Sequence, residues 1–147
     1  MTARVFVDTN VFVYVRDATE PDKQSRAAEW LAALWRARAG RTSVQVLNEF
    51  YVTTTQKLAP GLDRALARQD VKSLLAWQPE ALDARVTEAA FIEQDAFRLS
   101  FWDALIVAAA RKAGCTHLLS EDLHDGQDLG KLVVVNPFAH LPVDIGV

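Results

Sequence analysis

RVFVDTNVFVYV, residues 4–15, decides the fold. Its opening, Arg4 to Val7, is β-branched and aromatic and predicts a short buried strand. Asp8-Thr9-Asn10 then interrupts the apolar run with three short polar side chains. That suits a strand exit that caps a helix over about Val11–Arg16. A strand feeding directly into a helix is the first half of a βα crossover, from which parallel sheets are built.

The same alternation continues downstream. Pro21 to Arg38 places Ala27, Trp30, Leu31, Leu34 and Trp35 at helical spacing, with Pro in the first turn and Gly40 as the stop. Arg41–Ser43 predicts a very short strand, followed by a helix from Val44 to about Lys57 that Pro60-Gly61 ends. Leu62–Leu74 predicts a helix, Leu75–Gln78 a short strand stopped by Pro79, and Ala81–Asp95 another helix. Ser100 caps the longest apolar helix, FWDALIVAAARKAG, and Gly114 closes it. His117–Ser120 reads as a strand, Glu121–Gly130 as a loop, and Leu132–Val135 (LVVV) as a last buried strand before Asn136-Pro137. Strands alternating with helices imply a mostly parallel sheet covered on both faces. With no internal repeat, low-complexity stretch or linker, the expectation is one α/β domain over residues 1–147.

Composition narrows the function classes. The chain is 50% hydrophobic and 24% charged, enough to bury a core without covalent staples. Cys115 is the one cysteine, so an intrachain disulfide is excluded and a reducing compartment is expected. The start, MTARVFVDTNVF, lacks the uninterrupted apolar segment and cleavage site of a secretory signal, and no apolar run approaches the roughly 20 residues that span a bilayer. A soluble, cytoplasmic protein without a membrane partner is expected. The formal net charge of −3 is unusual for a protein that grips phosphates over a broad surface. A carboxylate cluster holding a divalent ion would reverse that sign locally.

Four acids fall where a parallel sheet binds ligands, outside the carboxyl ends of its strands. Asp8 follows the first strand directly, and Asp122 lies just beyond the strand His117–Ser120, in SEDL. Glu49 is about one and a half turns into the helix after the second strand, facing back toward that edge. Asp103 is in the first turn of the helix that Ser100 opens. Each has an ordinary explanation: a cap for Asp8, a solvated helix face for Glu49, a partial capping box with Ser100 for Asp103, a turn for Asp122. Their shared placement is what points to chemistry. Clustered carboxylates raise one another's pKa unless a cation neutralises them. Oxygen donors without a Cys/His cluster favour Mg²⁺ or Mn²⁺ over zinc, and such ions suit phosphodiester hydrolysis.

The motifs carrying these acids resemble those of PIN-domain ribonucleases. FVDTNVFVY resembles the family's opening motif, TSVQVLNEFY its second, SFWDALIVAAARKAG its third and LLSEDLHDG its fourth, all in the family's order. The length and the wording of the last two segments look most like the small VapC-type toxins of toxin–antitoxin pairs. The resemblance implies a three-layer α/β/α fold with a central parallel sheet of about five strands. It implies Asp8, Glu49, Asp103 and Asp122 as metal-binding catalytic carboxylates, Mg²⁺ or Mn²⁺ as cofactor, and endonucleolytic cleavage of RNA. It also implies a homodimer and a cognate antitoxin that covers the acidic groove. By the same match Thr9, Asn10, Ser43 and Ser120 are candidates to orient a carboxylate or a hydrating water.

Other residues are given plainer roles. His117, His124 and His140 do not fall at ligand spacing, and surface or structural roles outweigh a general base. Asp125 reads as a loop acid and Glu121 as solvent-facing. Trp30 reads as core or interface, and Trp102, beside Asp103, is expected to pack. Two rival classes remain. A phospho-acceptor receiver domain would show paired acids after its first strand and a Lys near its last, where this chain has Asp8 alone and VVVNPF. A non-catalytic PIN scaffold that binds RNA or protein would be expected to lack one or more of the acids.

Overall fold

The computed structural model describes residues 3–147; Met1 and Thr2, part of the N-terminal segment read above, lie outside the described residues. In chain order the elements are β1 (Val5–Val7), α1 (Thr9–Val15), α2 (Pro21–Ala37), β2 (Gly40–Arg41), α3 (Val44–Val52), α4 (Arg64–Leu74), α5 (Ala84–Phe97), α6 (Phe101–Lys112), β3 (His117–Leu119) and β4 (Val133–Val135). A π-helical turn, Thr53–Lys57, prolongs α3, and 3₁₀ turns lie at Leu75–Trp77 and Pro142–Ile145. No helix among the described residues is long and apolar enough to cross a membrane.

The sheet has four strands in the order β2-β1-β3-β4, every pair parallel. Register aligns Val7 with Leu119 and Leu119 with Val135, so the carboxyl ends finish along one edge. Strands this short hold because β1 is wholly buried, as parallel strands covered on both faces should be. A single parallel bridge between Ser43 and Glu80 adds a rudimentary fifth position beside β2. Helices flank the sheet. Phe12, Trp30, Leu34 and Phe50 from α1–α3 share one apolar cluster with Ile106, Val107 and Ala110 of α6. α5 closes over the outer face of α6 through Val86, Ala90, Ala104, Leu105 and Ala108.

One expected element is different. Leu75–Gln78 is not a strand: Leu75–Trp77 forms a 3₁₀ turn and Gln78 adopts a left-handed φ of 51°. Burial of Trp77 is the physical reason. Its ring packs 5.8 Å from Phe12 and 5.2 Å from Trp35 and lies so close over Gly40 that a Cβ there would stand 2.4 Å from it. The apolar run LLAW thus reflects one anchoring indole rather than an extended segment.

Candidate active site

Asp8 is the centre of the site. The sheet places it, since the Asp8 amide donates to the Leu119 carbonyl at 3.0 Å and so extends the β1–β3 pairing by one residue. Its extended backbone makes it the cap of α1, and Oδ1 accepts from the Thr9 amide at 2.7 Å. Oδ2 accepts from the Ser120 hydroxyl at 2.7 Å and from the Asn10 amide nitrogen at 3.3 Å. Asp8 is 6% exposed. Burial pushes its carboxyl up to about 6, with the nearby charges of Asp122 and Asp103 adding to the rise and the bonds from Ser120 and Thr9 opposing it.

Asn10 joins the ends of β1 and β3. Its Nδ2 reaches Asp122 Oδ2 at 3.1 Å as well as Asp8, and its Oδ1 accepts from the Glu121 amide at 3.2 Å. Ser120 is fully buried, and its Oγ also accepts from the Asp122 amide at 3.1 Å, which fixes the turn that carries this acid. Thr9 donates through Oγ1 to Glu49 Oε2 at 2.8 Å, linking the first strand's exit to α3. The Asp103 amide is capped by Ser100 Oγ at 3.1 Å, as the capping pattern predicts. Its half-buried carboxyl is raised by desolvation first, then by the charges of Asp122 and Glu49. The capping roles and the shared rim therefore coexist in the same residues.

Thr9, Asn10 and Ser120 all touch the acids. Ser43 does not; it is buried and caps α3, accepting from the Val46 amide at 3.3 Å, so it aims the helix that bears Glu49. Glu121 is not solvent-facing: it pairs with Lys23, whose ammonium also lies 4.9 Å from the Tyr14 ring centroid. Trp102 does not pack into the core: it is 65% exposed, because α6 buries its other side from Ala104 to Ala110 and the first turn points outward. Asp125 ties a loop, accepting from the Asn136 amide and bonding His140, each at 2.8 Å.

Gln45 was not singled out by its sequence. It is 6% exposed, and its Nε2 donates to Glu49 Oε1 at 3.2 Å and to the Trp102 carbonyl at 3.5 Å, while its Oε1 has no partner. The available signal was its place four residues before Glu49, on the same helix face. Of the four acids, Glu49 and Asp122 line a groove of about 520 Å³, together with Thr9 and Asn10; Asp8 and Asp103 stand outside that lining.

A family profile described as "PIN domain" matches residues 5–124. The chain belongs to the PIN-domain family. A search of curated proteins found no match. Among solved structures, this PIN domain is similar to the crystal structure of Mycobacterium tuberculosis VapC20, described as a toxin that cleaves the sarcin-ricin loop. The two are 21% identical, the match covers 78% of this chain and 86% of that one, and the TM-score is 0.51, which shows the shared fold.

As the side chains stand, no three acid, histidine or cysteine side chains among the described residues converge at ligand distance on one point. The Asn10 amide bridges Asp8 and Asp122 instead. The donor set nevertheless fits a hard divalent cation. It is all oxygen, and Asp8 is both desolvated and crowded by like charge, the condition a cation relieves.

Proposed function

We propose that this PIN domain is a metal-dependent endoribonuclease and the toxin of a toxin–antitoxin pair. The observation that carries the proposal is the linked set Asp8–Asn10–Ser120–Asp122, with Glu49 joined to it through Thr9. The buried Asp8 carboxyl is pre-oriented by three donors, and Mg²⁺ or Mn²⁺ would take the place of the proton that burial favours there. Asp8, Glu49, Asp103 and Asp122 would hold the ion, with Thr9 and Ser120 fixing the directions of Glu49 and Asp8. When bound, the ion supplies Lewis acidity toward a phosphoryl oxygen and lowers the pKa of a coordinated water. Asn10, a donor to both Asp8 and Asp122, keeps the two carboxylates at a set separation.

RNA as substrate is supported by the description of VapC20 and by the order of the four motifs. An antitoxin and a second copy of the chain are the partners that this reading brings with it. The test is incubation of the purified chain with a varied single-stranded RNA pool and Mn²⁺, with EDTA and Asp8→Asn as controls. Cleavage should require the ion. It should fall in Asp8→Asn by more than the about 10–100-fold that loss of an outer partner costs. RNA binding that is equal with and without the ion, and no cleavage, would replace this reading with a binding scaffold.

A further inference from the structure

The groove beside the carboxylate rim continues along the wall of α3. Its lining includes Glu49, Thr53 and Lys57, and Lys57 is the one cation among those lining residues, against Asp17, Glu49, Glu121 and Asp122. Lys23, close by, is committed to Glu121 and to the Tyr14 ring. Lys57 is exposed, and it enters none of the ion pairs among the described residues.

The π-helical turn explains how Lys57 reaches this wall. In an α-helix each four-residue step moves the side chain about 40° around the axis, so Lys57 would stand about 80° round from Glu49, at the margin of its face. Residues Thr53–Lys57 instead form a wider turn, with the Leu58 amide bonded to the Thr53 carbonyl at 3.0 Å. Thr54 Oγ1 donates to the Phe50 carbonyl at 2.8 Å and Thr55 Oγ1 to the Tyr51 carbonyl at 2.6 Å, engaging carbonyls at the junction where the helix widens. The wider turn offsets the drift, and Glu49, Thr53 and Lys57 share one wall. Eight residues at or below the α-helical rise set the Lys57 backbone no more than about 12 Å from that of Glu49 along the axis, a span that suits a phosphate neighbouring the one at the rim.

We infer that Lys57 binds a phosphate flanking the cleaved bond, so that single-stranded RNA lies along the α3 wall from Glu49 to Lys57. This rests on the endoribonuclease reading and names how the substrate is held. A lone cation in an acidic groove positions a backbone without reading its bases, so binding should weaken evenly across sequences when it is removed.

The experiment measures binding of fluorescein-labelled, unstructured oligoribonucleotides by anisotropy with Ca²⁺, between about 50 and 200 mM salt, for wild type, Lys57→Ala, Lys57→Glu and Lys57→Arg. Loss of one phosphate contact on a single strand should reduce the slope of log K against log salt by about 0.7. Lys57→Ala should show that reduction and several-fold weaker binding at low salt, Lys57→Glu a larger loss, and Lys57→Arg should restore both. Titration calorimetry with Mn²⁺ should give wild type and Lys57→Ala the same ion affinity, and cleavage assays should show KM rising more than kcat falls. Wild type that binds RNA, with Lys57→Ala and Lys57→Glu matching it in slope and affinity, overturns the Lys57 contact alone. Wild type that neither binds nor cuts RNA overturns the contact together with the nuclease reading.

Discussion

At the scale of single residues, Asp8 makes the site costly to keep. Its carboxyl is raised from 3.8 to about 6 in the folded chain, chiefly by burial. The native state therefore holds a proton that the unfolded chain has released across that window, and stability falls as pH rises through it. A shift of about two units corresponds to about 3 kcal/mol, present below the unfolded value and lost above the folded one. Asp103 acts in the same direction; His117, lowered by desolvation, opposes the decline below its ordinary value; and Asp83 and Asp125, lowered by backbone amides, act only at more acid pH. Thermal melts in EDTA should show stability declining between about pH 4 and about pH 7, with Asp8→Asn flattening that decline. An unchanged slope in the variant would assign the decline elsewhere. Because the ion must displace that proton, Mn²⁺ affinity should climb over the same range. Gln45 bears on the same chemistry from one residue further out. Gln45→Leu removes a donor to Glu49 together with an acceptor that has no partner, so its melting temperature should move little. Its Mn²⁺ affinity should drop by about 10-fold or more; equal affinity would show that Thr9 alone sets Glu49.

At the scale of elements, the junction of Gly40 and Trp77 anchors the edge of the sheet. Gly40→Ala would drive a methyl into the indole, and Phe12 and Trp35 stand against the ring's escape. Urea unfolding should register a loss of about 1–3 kcal/mol with an unchanged m-value, and a neutral result would mean that the 3₁₀ turn moves freely. Nothing in LLAWQP shows this contact, since a buried indole and a short strand leave the same apolar signature. Elements whose signals are local were legible. Ser100 and Gly114 bracket α6, and the run RVFV ends at Asp8 as the spacing predicts. The helix starts expected at Ala81 and Leu62 lie two to three residues before the observed ones, where Asp83 caps α5 through its side chain and Asp63 occupies the position before α4 without a side-chain bond. In the candidate site, Asp8 and Asp122 stand out at strand exits and Glu49 and Asp103 only by helix spacing, while Thr9, Asn10 and Ser120 enter through the resemblance to PIN domains rather than through position alone. Gln45 and the π turn were not legible, because a buried amide and a threonine run acquire meaning only from what lies across the groove.

At the scale of the whole molecule, the outer side of α5 and α6 presents apolar surface that the fold does not cover. Phe91 is 52% exposed, Ile92 70% and Trp102 65%, and the rings run in a chain from Phe91 to Phe101 to Trp102 with 5.7 Å between successive centroids. Isolated exposed apolar residues are ordinary, but a contiguous aromatic group is not. The face ends at Trp102, one residue before Asp103, so whatever covers it also borders the acidic rim. The homodimer expected of this reading would bury this face against its own copy, since a two-fold interface pairs one patch with itself. The formal charge of −3 opposes close approach of two copies only weakly once salt screens it. Sedimentation equilibrium should then report a dimer for wild type and a monomer for Ile92→Glu, with the variant's circular dichroism unchanged. A loosened face should also shift the surroundings of Trp102, read as tryptophan emission moving toward the solvent value on dilution. Wild type that stays monomeric at high concentration would remove the dimer from the proposal and leave this face to the antitoxin.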